Sequence, residues 1–297
     1  MRFELRSRTE ENSEQITLRS GTHQVPVLHT PENWMLGDTT PILKLLDSRF
    51  PARAMFPIGS HAAEGALAHV LEEFFDEWVA RVMVHYRWHY EDSAVFASEK
   101  MGAVNAEAAA RIRNWGPRAC RATGTDSEVQ QKAAEDEYLR LMSAAEAQLK
   151  ETDFLLGDRP TAVDCIVLGG LRAHTLMDPD PAKVMQQFPG LIDWANRRAD
   201  TWDGSGELLP ANQINGFARA ALREMGSTYV PYALGNAAAL AAGAKAFTAP
   251  IYGEDVSYLT RPYPETSRQM VRATLSQLPP SERRTLDRLL ADYEVDR

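Results

Sequence analysis

The fold of this chain depends on one stretch, residues 153–180, which reads DFLLGDRPTAVDCIVLGGLRAHTLMDPD. Thr161 and Asp164 have the spacing of a capping box, in which the threonine hydroxyl accepts a helix-end amide and the acid reaches back to the threonine amide. The next residues, 165–171, are apolar or glycine with no polar face, which predicts a helix buried on all sides. Its two glycines each cost about 1 kcal/mol relative to alanine and predict close approach by a neighbouring helix.

A capped core helix can serve stability alone, but this combination of residues is more specific. The pattern F-L-x-G-D-x-P-T-x-x-D-C closely resembles the capped core helix of the glutathione transferase C-terminal domain. The pattern F-P-x-L-x-x-W at 188–194 resembles the start of that family's next helix. The two clusters stand in the family's order, and the resemblance implies an all-α domain over residues 60–202.

Composition and charge exclude several classes of protein. The 297 residues are 44% apolar and 25% charged, as is ordinary for a soluble globular protein. A net charge of −9 disfavours nucleic acid or an anionic membrane as a partner. Cys120 and Cys165 lack a metal-like spacing, so we interpret Cys165 as a buried thiol in a reducing cytoplasm. We see no signal peptide, and no apolar run reaches the ~20 residues of a membrane span.

The first fifty residues carry alternating strand and helix signals. Apolar alternation and turn residues predict short strands at 3–7, 24–30 and 34–36. Apolar residues at helical spacing predict helices at 10–18 and 38–50. The segments V-P-V-L and D-T-T-P-I-x-x-L-L-D resemble the second half of the glutathione transferase thioredoxin-like domain.

That resemblance implies a glutathione site. In the family the proline is cis, so Pro26 is expected in that form, and the backbone of Val25 is expected to pair with the cysteinyl part of glutathione. Asp38 and Thr39 match the acid-hydroxyl pair that holds the γ-glutamyl end, and His23 lies where some classes contact the glycyl carboxylate. The chemistry fits, because a helix N-terminus offers amides to a carboxylate and an aspartate binds an ammonium. The alternative is that Asp38 and Thr39 only cap the helix.

The sequence also departs from the family. Two strands, two helices and their connections need about 45 residues, but only 25 residues precede Pro26. The first strand and helix, which carry the family's catalytic Tyr, Ser or Cys, therefore have no counterpart. Ser7 and Thr9 lie on the wrong element, and the catalytic residue stays unassigned. We expect a partial thioredoxin-like domain over residues 1–52, with a late start or a compensating partner for the unpaired sheet edge.

A long amphipathic helix is predicted at 61–90, after a proline- and glycine-containing linker at 53–59. In the family this helix lines the substrate cleft, so the resemblance makes Trp78, His85 and Tyr86 candidates for contact with an apolar electrophile. The alternative is structural packing with the polar tips bonded. His85 and His89 share a helix face, but a metal site would need further ligands, and we predict none.

Further helices are predicted downstream, at 104–124 with a break at Gly116-Pro117 and at 127–152. Four arginines between 111 and 121 are interpreted as a solvated face. Residues 203–297 resemble the extended C-terminus of a bacterial subgroup of the family. There we expect helices at 228–245 and 262–278, a last helix from Ser281, and a β-hairpin at 246–260.

Taken together, these patterns predict a mainly α fold with a small α/β part. The resemblance, which covers residues 3–202, implies a cytoplasmic homodimer that conjugates the thiolate of glutathione, its co-substrate, to small apolar electrophiles. It implies no metal, no nucleic acid and no membrane. A first alternative is a non-catalytic binding or structural protein that lacks the residue needed to activate the thiol. A second is a helical module that serves only for dimerisation.

Overall fold

In the computed structural model, which describes residues 3–102, 105–197 and 202–295, the chain divides between Phe56 and Pro57 into two units. The first unit holds a two-stranded antiparallel sheet in which Leu28 pairs with Leu36. Two helices accompany the sheet. In chain order its elements are α1 (Glu10–Ser20), β1 (Val27–His29), β2 (Met35–Gly37) and α2 (Thr39–Arg49).

One arginine ties the first unit together. Arg8 donates to the side chain of Ser13 at 3.1 Å and to the hydroxyl of Thr17, both on α1. Its Nη1 also reaches the carbonyl of Gln24 at 3.1 Å, in the loop that leads to β1. At the other end of α1, Arg19 donates to the backbone oxygen of Asn33 at 2.6 Å. These hydrogen bonds hold α1 beside the sheet.

The strand predicted at residues 3–7 is wrong. This segment has no regular structure, and its apolar side chains are exposed, Phe3 by 74% and Leu5 by 88%. A strand requires a neighbour that satisfies its backbone groups, and none of the described strands pairs with it. The apolar alternation is typical of a strand, but no neighbouring strand pairs with this segment.

The second unit is helical apart from one hairpin. Its first half comprises α3 (Ala62–Phe74), α4 (Ala80–His89), α5 (Glu91–Met101), α6 (Ala106–Ala122) and α7 (Glu128–Gln148). Then come α8 (Ala162–Gly170), α9 (Pro179–Met185) and α10 (Pro189–Asn196). The last part comprises α11 (Gly216–Glu224), α12 (Val230–Ala241), β3 (Ala246–Ile251), β4 (Glu254–Leu259), α13 (Pro262–Ser276) and α14 (Pro280–Asp292).

Three helices of this unit pass through a π-turn. The turn Phe75–Val79 joins α3 to α4, the turn Leu171–Thr175 extends α8, and the turn Met225–Tyr229 joins α11 to α12. The long helix predicted at 61–90 is therefore present as α3, a π-turn and α4. A π-turn widens the helix locally and rotates the residues that follow, and such turns are frequent at functional sites.

The capping box of α8 forms as the sequence predicts. Asp164 Oδ2 accepts from the amide of Thr161 at 2.8 Å and from its hydroxyl at 2.9 Å. The other carboxylate oxygen accepts from the amide of Leu155 at 2.8 Å, which ties the preceding loop to the helix start. Thr161 and Asp164 are both buried. They act structurally, at the centre of the second unit.

Burial of α8 on all sides, however, is wrong. Cys165 is half-exposed and Gly169 is exposed with no neighbour that a side chain would meet. Gly170 packs closely on α4, since a Cβ there would meet the end of the Met83 side chain, which would have to move. The helix thus has one outward strip, which an apolar sequence alone does not reveal.

The break predicted at Gly116-Pro117 is also wrong, because α6 runs through both residues. Proline normally clashes with the Cβ of the residue before it when that residue is helical, and glycine has no Cβ. Gly116 is buried against Trp88, whose side chain lies 3.0 Å from where a Cβ would stand. Tight packing against α4 keeps the helix continuous despite the missing amide of Pro117.

Residues of the extension share one hydrophobic core with the helices before it. Phe217 and Tyr229 lie in the same buried cluster as Leu71, Tyr138 and Leu171. The strands β3 and β4 pair in register from Ala246–Leu259 to Ile251–Glu254 and form a hairpin in the segment where the sequence predicts one. The fold is mainly helical with small two-stranded sheets, which confirms the predicted fold class at that level.

Asp164 provides a test of the role of the capping box in stability. Replacing it by alanine leaves the buried amides of Leu155 and Thr161 without an acceptor. We expect the free energy of unfolding to fall by about 3 kcal/mol, measured by urea titration at pH 7. An Asp164→Ala variant within 0.5 kcal/mol of wild type, which is roughly the level of a neutral surface substitution, would contradict this role.

The same carboxylate gives a pH dependence. Burial raises the pKa of Asp164 from 3.8 to about 6, so the folded state holds the proton more tightly than the unfolded state. This tighter proton binding adds roughly 3 kcal/mol to the free energy of unfolding below pH about 4, and that increment is lost as the pH rises to about 6. The hydrogen bonds to Leu155 and Thr161 remain at pH 7. The matched variant Asp164→Asn lacks this titration. The difference in unfolding free energy between the two proteins should change over that pH window and be constant outside it.

Candidate functional site

The candidate glutathione residues lie in the first unit, around the end of the loop before β1 and the start of α2. His23, Val25 and Pro26 are exposed, Val25 by 73%. The peptide bond between Val25 and Pro26 is cis, as the family resemblance implies. The backbone carbonyl of Pro26 accepts from the amide of Asp38 at 3.2 Å, so the structure brings these two candidates together. None of the described hydrogen bonds joins His23 to them.

Asp38 has a strained backbone and a buried carboxylate oxygen without a partner, and the fold requires neither. Its backbone has φ 79° and ψ 144°, a region that side chains rarely adopt and that costs about 1–3 kcal/mol. Its carboxylate oxygen Oδ1 accepts from the amide of Thr39 at 2.7 Å, the first residue of α2. The other oxygen, Oδ2, is buried and has no hydrogen-bond partner. Burial also raises the pKa of this carboxyl above its usual range.

The helix start beside Asp38 is therefore only partly capped. One carboxylate oxygen of Asp38 satisfies Thr39, so the capping interpretation accounts for half of the side chain. The buried oxygen remains available for a donor from outside the chain. A buried, unpaired carboxylate oxygen costs free energy, and a ligand with an ammonium group would remove that cost.

The three cleft candidates on the long helix are buried in the second unit. Trp78 and Tyr86 are each 2% exposed and His85 is fully buried. Trp78 packs against Tyr229 and Tyr232, with ring centroids 6.4 and 5.3 Å away. This placement favours packing over contact with an electrophile.

Around Trp78 lies a buried polar centre that sequence analysis missed. Glu137 of α7 is fully buried, and its Oε1 accepts from the indole of Trp78 at 3.0 Å and from the hydroxyl of Thr228 at 3.2 Å. Its Oε2 forms an ion pair with Arg81. The guanidinium of Arg81 stacks on the Trp78 ring at 4.1 Å from the centroid. Two π-turns supply two of the three donors, since Trp78 and Thr228 each lie in one.

The signal for this centre was present in the sequence. Glu137 lies four residues before Leu141 and eight before Ala145, both buried, and so stands on the apolar stripe of α7. An acid at such a position must be paired or protonated. Burial raises the pKa of Glu137, and Arg81 opposes that shift.

A second polar cluster lies at the end of α4. The Nε2 of His85 lies 2.7 Å from Oε1 of Glu135, and the Tyr90 hydroxyl donates to the same oxygen at 2.6 Å. His85 also stacks on His89, with centroids 4.8 Å apart. Although burial alone would raise the pKa of Glu135, these bonds hold it below its ordinary value. Burial raises the pKa of Tyr86, whose hydroxyl stays protonated.

Neither cluster forms a metal centre. Within residues 3–102, 105–197 and 202–295 no group of three or more His, Cys, Asp or Glu side chains is placed to hold a metal ion.

The arginines of α6 and its C-terminal end are mostly paired. Arg111 bonds Glu107 at 2.7 Å, Arg113 bonds Glu91, and Arg121 lies 3.6 Å from Asp126. This neutralised arrangement is the solvated face that the sequence predicts. A search of the described helices for a span long and apolar enough to cross a membrane found none.

The comparisons with known proteins bear on the second unit. Residues 97–200 match the family model "Glutathione S-transferase, C-terminal domain". This part of the chain is therefore similar to the glutathione S-transferase C-terminal domain. This confirms the family resemblance drawn from the capped core helix and agrees with the helical fold. Neither the search of curated proteins nor that of solved structures returned a significant match. Glu137 and Asp164 lie inside the matched glutathione transferase domain, whereas Asp38 and Trp78 lie outside it.

The buried polar centre gives a prediction for this glutathione transferase-like protein. Arg81→Met leaves Glu137 buried without its counter-charge, so we expect a loss of about 3–5 kcal/mol in the free energy of unfolding. Adding Glu137→Gln removes the orphaned charge while keeping an oxygen for the Trp78 indole.

The double variant should therefore be more stable than Arg81→Met alone by about 2 kcal/mol, which guanidinium titration of both proteins measures. Equal stability of the single and double variants would show that the charges do not interact. Arg111→Met, which breaks an exposed pair on α6, serves as the control and should change stability by less than about 0.5 kcal/mol.

Proposed function

We propose that the first unit binds glutathione at the start of α2, with Asp38 as the principal contact. The observation that carries this proposal is the buried, unpartnered Oδ2 of Asp38 on a strained backbone. The α-ammonium of the γ-glutamyl group supplies both a positive charge and hydrogen-bond donors for that oxygen. Amides at the start of α2, with the hydroxyl of Thr39, receive the adjacent α-carboxylate.

The exposed loop before β1 takes the rest of the tripeptide in this proposal. The backbone of Val25, which precedes the cis Pro26, pairs with the cysteinyl residue. His23 contacts the glycyl carboxylate. Both residues are exposed to solvent, so a ligand can reach them. Together the four candidate contacts would follow an extended tripeptide from its ammonium end to its glycyl end.

The reaction we propose is conjugation of glutathione to a small apolar electrophile, with a homodimer in the cytoplasm as the working form. The thiol first loses its proton, and the thiolate then forms a carbon–sulfur bond as the electrophile releases a leaving group or accepts the electron pair. The thiolate is the reactive form, so an activating group matters. The residue that lowers the pKa of the thiol is not assigned. Thr9 is not a candidate for this role, because its hydroxyl caps α1. The reaction requires no metal.

A second candidate, a non-catalytic glutathione-binding protein, is favoured by one observation. Trp78, His85 and Tyr86 are all buried. Trp78 packs against Tyr229 of the extension, and His85 bonds Glu135 of α7. The helix that lines the electrophile cleft in the family is committed to the core here. A transferase assay with a panel of aryl halides, epoxides and enones separates the two candidates. Turnover of any of these electrophiles supports the transferase, and glutathione binding without turnover supports the non-catalytic protein.

The first test of the proposal is calorimetric titration with glutathione. Asp38→Asn removes the charge but keeps the shape and an oxygen that accepts the Thr39 amide. We expect the Kd to rise at least about tenfold, equivalent to about 1.4 kcal/mol. The control is Glu14→Gln, which removes one exposed charge from α1 and should leave the Kd unchanged. Equal affinity of Asp38→Asn and wild type, or no binding by the folded wild-type chain, would overturn the site.

The strained backbone at Asp38 gives a separate prediction. Glycine adopts φ 79° without penalty, and replacing a cap residue by glycine costs only a few tenths of a kcal/mol. Asp38→Gly should therefore raise the free energy of unfolding by about 1 kcal/mol while abolishing glutathione binding. Urea titration and calorimetry on the same sample measure both quantities. A variant that is less stable but still binds would show that Asp38 serves the fold rather than the ligand.

A further inference from the structure

The first unit has a sheet edge whose backbone groups are unsatisfied. The ladder bond from Asp38 N to Pro26 O, at 3.2 Å, sets the hydrogen-bonded positions on β1, and such positions alternate along an antiparallel strand. Val27 and His29 therefore direct their backbone N–H and C=O groups away from β2. None of the hydrogen bonds described for residues 3–56 uses these groups. His29 is exposed and Val27 half-buried, so an incoming strand can reach the edge.

The same unit has a strand-forming segment with no ladder. Residues 3–7, FELRS, alternate apolar and polar side chains but form no regular structure. Phe3 and Leu5 are 74% and 88% exposed, so the apolar face of this segment is free to be covered. The polar residues between them, Glu4 and Arg6, bond each other at 3.0 Å in solvent. The carbonyl of Ser7 accepts from the side-chain amide of Asn12 at 3.2 Å, whereas no described hydrogen bond joins residues 3–6 to the rest of the unit.

These two features are complementary, and they occur on one molecule. A surface that carries both a donor strand and an acceptor edge can pair with its own copy around a two-fold axis, and every contact then occurs twice. Three further apolar side chains of the unit are exposed, Leu18 by 83%, Val25 by 73% and Trp34 by 57%.

Charge does not oppose pairing at this surface. Residues 1–56 contain seven Lys or Arg and seven Asp or Glu, so the first unit has no net charge, although the whole chain carries −9. A contact made only by two first units therefore brings no excess of one sign together.

We propose that two copies of the chain exchange their N-terminal strands. Residues 3–7 of one copy pair with the β1 edge at Val27 and His29 of the other, and the reverse pairing completes the two-fold interface. Each sheet gains a third strand, and three strands are about the minimum for a sheet that is stable on its own. This proposal is independent of glutathione binding.

Two variants block the two sides of the exchange. Leu5→Pro disables the donor strand, because proline lacks the amide and fixes φ, and Leu5→Val is the strand-compatible control. His29→Pro removes the outward amide of the acceptor edge, where a proline is tolerated in an edge strand, and His29→Ala is its control. Circular dichroism melting shows that each variant is folded.

The readout is hydrogen–deuterium exchange of a peptide spanning residues 25–31, together with sedimentation equilibrium. In the wild type the exchange of this peptide should slow as protein concentration rises. Each proline variant should lose that dependence and associate at least tenfold more weakly, whereas both controls should behave as wild type. A 1:1 mixture of the two proline variants should restore protection in the Leu5→Pro copy, since its acceptor edge receives the intact strand of the other. Protection that is independent of concentration, or unchanged by Leu5→Pro, would overturn the exchange.

Discussion

The carboxylate of Glu137 is buried away from water, so it needs hydrogen-bond donors from the protein. The helices that supply these donors are held in fixed positions around it. Arg81 comes from α4, Trp78 from the π-turn before it, and Thr228 from the π-turn between α11 and α12. An unpaired carboxylate in such an environment costs several kcal/mol. These helices therefore cannot shift independently, because a displacement of any one of them removes a donor. The π-turns have a physical reason here, since they rotate Trp78 and Thr228 onto the same oxygen.

This constraint makes the extension part of the domain rather than an addition to it. Thr228 serves Glu137, Tyr229 donates to Glu73 at 2.7 Å, and Glu224 forms a two-pronged pair with Arg140 at 2.6 and 2.9 Å. All three residues of the extension lie on one stretch, so a single segment satisfies charges from two earlier helices, α3 and α7. As a consequence for function, the polar and aromatic side chains of the long helix are buried in the core. If the protein acts on an electrophile as proposed, selectivity for it comes from other residues, and the proposed glutathione contacts lie in the first unit.

The features that the sequence predicted are those decided by neighbours along the chain. The capping box at Thr161 and Asp164 needs only a spacing of three, and the hairpin around Gly253 needs only a turn between alternating residues. The features it missed depend on residues distant in sequence. The helix continues through Gly116 and Pro117 because Trp88 packs against Gly116, and the strand at 3–7 is absent because none of the described strands pairs with it. Glu137 stands 56 residues from Arg81, and periodicity contains no information about that pairing.

Two carboxylates, those of the fully buried Glu137 and the half-buried Asp38, show where folding and the proposed ligand binding separate. Glu137 has a donor on each oxygen, and its backbone lies within a regular helix, so the fold alone accounts for it. Asp38 has a donor on one oxygen only, and it stands on a backbone that glycine would adopt at lower cost. Glycine at this position would relieve the backbone strain, and the lost cap would cost only a few tenths of a kcal/mol, so the folded state would be more stable. Sites where a local rule is broken without a structural gain are expected to be functional. The half-satisfied carboxylate is therefore the better guide to what the protein binds, and the fully satisfied one to what holds it together.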